Sequence, residues 1–158
     1  MSEQSAGILL FRFKRKKLEI LLAHPGGPFF ENKDEGVWSI AKGLCEGNES
    51  LLETARREFE EETGFTVDGN FIGLGQLPMK SGKIVHAWAL EHDIDVTKMV
   101  SNSFALEWPR NSGQIREFPE MDTAAWFSLV EARSKIAKGQ AAFIDRLVSS
   151  IDYTDPME

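Results

Sequence analysis

The sequence predicts an α/β (α+β) domain, helices and strands folded about one core, with a sheet that is apolar on both faces. Three observations carry that expectation. Residues 83–91 place Ile84, His86, Trp88 and Leu90 on one side of a strand and Val85, Ala87 and Ala89 on the other, as a sheet covered by layers on both sides requires. Ser50 and Glu53 form a capping box at the start of a helix in which Leu52, Ala55 and Phe59 recur at helical spacing, with Gly64 just past its end. A chain of 158 residues, 42% of them hydrophobic, suits one core and leaves no room for a second.

The elements follow in order. Residues 6–13 and 18–23 read as two strands joined by a basic hairpin tip at 14–17. His24-Pro25-Gly26-Gly27-Pro28-Phe29-Phe30 marks an irregular loop through its Pro and Gly content, and Trp38-Ser39-Ile40-Ala41-Lys42-Gly43 leads from it toward the helix Leu51–Thr63. Strands are expected at 71–77 and 83–91, a less regular stretch at 93–120, and a strand at 123–127. Ser128 and Glu131 form a second capping box; the helix it opens is interrupted by Gly139 and resumes over 140–151. No repeat, low-complexity segment or linker divides the chain, so one domain over 1–158 is expected.

The chemistry is concentrated at the end of the first helix, where four of the last six residues, Glu58, Glu60, Glu61 and Glu62, are acids. A helix C-terminus carries partial negative charge and disfavours each nearby anion by about 0.3–1 kcal/mol, and the Glu58/Glu62 pair adds i,i+4 repulsion. At about 100° per residue, Glu58, Glu61 and Glu62 share an arc beside the apolar stripe, bordering the core. A solvated acidic face is the plain reading of such a run. The alternative is a hard divalent cation with oxygen ligands, Mg²⁺ or Mn²⁺, that compensates for the crowding.

The wider spacing favours the second reading. Gly43, Glu49, Arg57, Glu58, Phe59, Glu61, Glu62, Gly64 and Phe65 fit Gly-x5-Glu-x7-Arg-Glu-hydrophobic-x-Glu-Glu-x-Gly-hydrophobic at every specified position. Chance agreement in a chain this long is on the order of one in a million or below. The run 43–65 resembles the Nudix box, and the chain resembles a Nudix hydrolase. That resemblance implies an α/β/α sandwich with a mixed β-sheet between helices. It also implies hydrolysis, with a divalent metal and a water nucleophile, of a nucleoside diphosphate linked to a second moiety X. It makes Glu58 and Glu62 the principal metal ligands, Glu61 a further ligand or a water-orienting carboxylate, and the backbone carbonyl of Lys42 another ligand. A general base is expected outside the box, on a loop before a late strand containing a Trp; Glu117 and Glu120 precede Trp126, and Glu120 is the closer match in position.

The other box residues have physical readings of their own. Arg57 lies four residues from both Glu53 and Glu61 and is expected to pair with both, holding Glu61 in one orientation. Gly43 and Gly47 allow a sharp turn and close approach of backbone to a ligand. Glu49, just ahead of the helix, either joins the metal cluster or binds Arg57. Substrate contacts are expected from Lys42 as a phosphate partner, from Phe29, Phe30 and Trp38 as stacking surfaces, and from His24. Arg110, Lys80 and Lys83 are further phosphate contacts, and His86 is expected to be a hydrogen-bonded sheet residue. For each aromatic the competing reading is core packing, and for each charge it is solvent exposure.

Composition excludes other classes. A formal charge of −7 argues against sequence-independent duplex binding, which relies on Lys and Arg at phosphates. The solitary Cys45 allows no internal disulfide and, without a nearby His, reads as packing rather than nucleophile. No apolar run approaches the roughly 18 residues of a membrane span, and Met1-Ser2-Glu3-Gln4 lacks a leader's basic-then-apolar pattern, so a cytoplasmic protein, monomer or homodimer, acting on a small nucleotide-like substrate is expected. Trp38-Ser39-Ile40-Ala41-Lys42-Gly43 resembles the Trp-x-x-Pro-Lys-Gly approach of diadenosine polyphosphate hydrolases, with Ala41 in place of Pro. The run 5–43 resembles a bacterial subgroup of predicted nucleoside triphosphate pyrophosphohydrolases. A catalytically silent nucleotide-binding domain and an allylic diphosphate isomerase are the other function classes; intact box carboxylates disfavour the first and the position of Cys45 the second.

Overall fold

The structure, a computed structural model, describes residues 3–156, so the leader reading at Met1 and Ser2 and the last two residues of the expected 1–158 domain lie outside it. The described residues form β1 (Gln4–Lys14), β2 (Lys17–Pro25), β3 (Ala41–Leu44), α1 (Leu51–Thr63), β4 (Ile72–Pro78), β5 (Ile84–Glu91), β6 (Ser103–Glu107), β7 (Ile115–Pro119), β8 (Met121–Ser128), α2 (Leu129–Lys135) and α3 (Ala141–Ser150). A mixed sheet in the order β4-β5-β1-β2-β8 carries the core. β1 runs parallel to β5 along one edge. Its other edge is shared: β2 pairs antiparallel with residues 11–14, and β3 with residues 5–8.

The two faces of the sheet bury two distinct apolar clusters. Leu9, Phe11, Ile20, Leu22, Val85 and Ala87 face α2 and α3, packing on Ala132, Phe143, Ile144 and Leu147. Ala6, Ile8, Leu10, Leu21, Ala23 and Leu90 face α1, packing on Ala55 and Phe59. The alternation read in residues 83–91 is this division, and the layers are those of an α/β/α sandwich.

Both helix starts are as the capping boxes predict: Ser50 accepts from the Glu53 amide and Ser128 from the Glu131 amide, with each glutamate returning to its cap's backbone. Gly64 closes α1 in the left-handed region at φ 79°. The 14–17 tip is a tight turn with Arg15 and Lys16 at positive φ.

Three expectations need correction. β2 does not end at Ala23 but continues through His24 and Pro25, pairing with β8 across a register shift that absorbs the proline. Ala41–Leu44, read only as an approach to the helix, is strand β3; bare Gly7 permits it, since a Cβ there would lie 2.5 Å from the Ala41 carbonyl oxygen. The stretch read as irregular contains the antiparallel hairpin β6–β7, in register from Ser103↔Pro119 to Glu107↔Ile115.

Candidate active site

β3 and α1 build the centre of the site, and their closeness depends on Gly43. A Cβ at Gly43 would stand 2.1 Å from the Glu58 carboxyl carbon, so the absence of a side chain there makes the space that this carboxylate fills. One residue earlier, the Lys42 amide donates to Glu62 Oε2 at 3.1 Å. The expectation for Gly43 is close approach of backbone to a ligand; what it admits in the structure is the Glu58 carboxylate. Gly47, at φ 54°, serves the turn instead.

The three acids are graded from core to solvent. Glu62 is 5% exposed, the Glu58 side chain 13% and the Glu61 side chain 42%. Burial, with the charge of Glu58 adding to it, pushes the Glu62 carboxyl up to about 8. Glu58 is also raised, by burial and then by Glu61, against the pull of Arg57. Burial depresses the Lys42 ammonium, while Glu62 and Glu58 hold it charged and Lys83 opposes them.

Arg57 is the hub of the cluster. It donates to both Glu49 oxygens at 2.7 and 3.0 Å, to Glu58 at 2.8 Å, to Glu61 at 3.2 Å and to the Leu44 carbonyl at 3.0 Å. Hydrogen bonds from Arg57 hold the Glu49 carboxyl down at about 2. The expected partner Glu53 is not among these contacts, because its carboxylate folds back to the Ser50 amide at 3.1 Å to complete the cap. Of the two readings of Glu49, the geometry displays the Arg57 partnership, and Thr54 Oγ1 donates to the same carboxylate at 3.0 Å.

The acid-rich helix end is also held by backbone donors that the sequence did not announce. The Val100 amide donates to the Thr63 carbonyl at 2.9 Å and the Asn102 amide to the Glu61 carbonyl at 2.8 Å, satisfying carbonyls that a helix end otherwise leaves open. The Asn102 carbonyl in turn accepts from the Glu120 amide at 2.8 Å, and the Glu120 carbonyl from Gly26 at 2.9 Å. Glu120 thus sits beside the cluster, and its charge contributes to raising Glu62. Glu117 is exposed on β7, opposite Ala105.

Two expected substrate contacts are committed to the fold. Trp38 is 9% exposed, packs on Phe127 among the residues facing α2 and α3, and donates its indole N–H to Asp34 at 2.8 Å. His24 is 6% exposed and engages Asp122 through Nδ1 and the Lys33 carbonyl through Nε2. Neither side chain has a free polar edge to offer a ligand. For Trp38 this is the core packing that the sequence leaves open as the alternative to stacking. His86 bonds Gln4 Oε1 at 2.6 Å within the sheet, as expected. Phe29 and Arg110 come together with Trp108, a residue the sequence reading passed over although Phe104, Leu106 and Trp108 alternate at strand spacing.

Among the described residues, no three His, Cys, Asp or Glu side chains are gathered tightly enough to hold a metal ion. The donor chemistry nonetheless fits a hard divalent cation: the groups are carboxylate oxygens, Glu58 and Glu62 being raised first by burial and then by a neighbouring acid, and Gly43 leaves room for the Glu58 carboxylate. Arg57 supplies the positive charge that Glu58 and Glu61 now meet.

The fold and the helix-borne acids define the class: an α/β/α sandwich with a carboxylate helix docked against a short strand. The family model for the NUDIX domain matches residues 1–147, and the chain belongs to that family. Its fold is similar to that of a Caenorhabditis elegans Ap4A hydrolase in a binary complex, at TM-score 0.66 and 20% identity, covering 94% of this chain and 98% of that one. It is also similar to the NUDIX domain of Shewanella oneidensis NrtR complexed with ADP ribose, at TM-score 0.66 and 14% identity, covering 96% and 89%. A mutT/nudix family protein from Listeria innocua matches at TM-score 0.63 and 20% identity, covering 95% and 94%. Among curated proteins, an octanoyltransferase of Myxococcus xanthus is 29% identical over 101 residues, which are 64% of this chain and 25% of that protein. The chain spans about a quarter of the length of the curated relative it matches.

Proposed function

We propose that this chain is a Nudix hydrolase that cleaves a pyrophosphate linkage in a nucleoside diphosphate joined to a second moiety, a nucleoside triphosphate or a dinucleoside polyphosphate above others. The carrying observation is that two acids of α1 meet β3, Glu58 filling the space over Gly43 and Glu62, buried and raised to about 8, accepting from the Lys42 amide. The likeness in fold to an Ap4A hydrolase and to a domain complexed with ADP ribose supports a ligand containing a diphosphate.

Bound Mg²⁺ or Mn²⁺ would neutralise phosphate charge and acidify a water. Glu58, Glu62 and Glu61, with the Lys42 carbonyl, are the groups that would hold it. The protein's own residues do the rest. Arg57 fixes Glu58 and Glu61 in place and keeps Glu49 as its own counterion. The Lys42 ammonium, beside Glu62, meets a phosphate oxygen. Glu120 accepts the proton of the attacking water, its position supported by its electrostatic reach to Glu62.

Purified protein with Mg²⁺ or Mn²⁺ should release nucleoside monophosphate from a member of a panel of dinucleoside polyphosphates, nucleoside triphosphates and nucleotide sugars. Silence across the panel, or activity unchanged in Glu62→Gln, removes this reading. Among the described residues no helix is long and apolar enough to cross a membrane, in keeping with action on a small nucleotide in the cytoplasm.

A further inference from the structure

The β6–β7 hairpin is tied to the carboxylate cluster at both ends. At its start the Asn102 amide holds the Glu61 carbonyl, and at its end Glu120 bonds Asn102 and Gly26. The hairpin also packs hard against the 26–30 loop. A Cβ at Gly26 would stand 1.9 Å from the Pro119 carbonyl oxygen, and one at Gly27 2.9 Å from Phe104 Cζ. Its tip is ordered by the Trp108 amide on the Gln114 carbonyl at 3.0 Å and the Asn111 amide on Glu107 at 3.1 Å.

This scaffold presents an open aromatic surface with a cation over it. Phe29 is 45% exposed and meets Trp108 edge-on at 5.4 Å and 77°. The Arg110 guanidinium stands 5.6 Å from the Phe29 ring centre. An exposed ring with a second ring at its edge and a guanidinium over it is a surface that suits a planar, anionic occupant. Phe29 lies three residues from Gly26, at most about 11 Å of chain, so the surface is within a short molecule's reach of Glu120.

We infer that Phe29, Trp108 and Arg110 form a binding subsite for a nucleobase, the base stacking on Phe29 and Trp108 while Arg110 closes on its other face and meets its phosphate chain. This inference names how the substrate of the proposed hydrolysis is recognised, and rests on that reading for its kinetics.

Two measurements test it. Steady-state hydrolysis of a nucleotide substrate by Phe29→Ala and Arg110→Ala should show KM raised roughly ten-fold or more, in line with stacking on a single base, with kcat unchanged. Separately, metal-free protein titrated with adenosine 5′-monophosphate should show tryptophan quenching that Trp108→Phe removes, while ribose 5-phosphate, which lacks the base, should give none. Unchanged KM in both variants, or ribose 5-phosphate binding as tightly as the mononucleotide, overturns the subsite. The titration uses neither metal nor turnover, so a wild-type protein that quenches but hydrolyses nothing would sink the proposed function and leave the subsite standing.

Discussion

Helices α1 and α2 begin alike and end as opposites. Each opens on a serine capping box, Ser50 with Glu53 and Ser128 with Glu131. α2 then ends on Arg133 and Lys135, cations that suit the negative end of a helix and are paired with Asp145 and Asp34. α1 has no basic residue in its last turn and carries Glu60, Glu61 and Glu62 there instead. The contrast separates two uses of one motif: α2 closes a face of the sandwich, whereas α1 gathers like charges at the end of a helix that disfavours them. Arg57 and the loop amides of Val100 and Asn102 offset part of that cost.

The comparison can be broken most forcefully at Glu62. Glu62→Gln should lower hydrolysis by more than the roughly 10–100-fold typical of groups that merely orient ligands, while raising the melting temperature of the metal-free protein. Loss of both activity and stability would make Glu62 an ordinary structural residue. Gly43→Ala comes next: its Cβ meets the movable end of Glu58 rather than backbone, so activity should fall sharply with little change in melting temperature.

Arg57→Ala should weaken Mg²⁺ binding roughly 10–100-fold by calorimetry. Arg57→Lys should fail to restore it, because an ammonium cannot fork between Glu49 and Glu58. The pH dependence follows from Glu62, whose folded value of about 8 lies above its usual 4.5. Its contribution to stability is full below 4.5 and disappears as pH rises through 8. The melting temperature of metal-free protein should therefore fall progressively as pH rises from 4.5 to 8, and Glu62→Gln should flatten that fall. The smallest effect is also the control: Ser50→Ala and Ser128→Ala should each cost about 1 kcal/mol in denaturant titrations, the same at both helices.

Much of this was legible because it rests on local spacing. The capping boxes, the basic tip at 14–17 and the two-faced apolar strand each declare themselves within a few residues, and the box acids lie along one helix. What was hidden depends on distant backbone. β3 exists because Gly7, more than thirty positions earlier, has no side chain. Arg57 passes over Glu53 for Glu49 because the cap claims Glu53 first. His24 stands just before a Pro-Gly run and Trp38 just before the box, and nothing local says which side of the sheet receives them. The β6–β7 strands bury so little that their apolar alternation is short, and it was read as irregular chain.

Gly26 leaves no room for evolution or engineering to tinker: a methyl group there would drive into Pro119. Positions 108–113 at the hairpin's tip are free of that constraint. The inferred subsite predicts that a library randomised at the tip, with Gly26 kept, retunes which molecules are admitted while sparing the acids of α1.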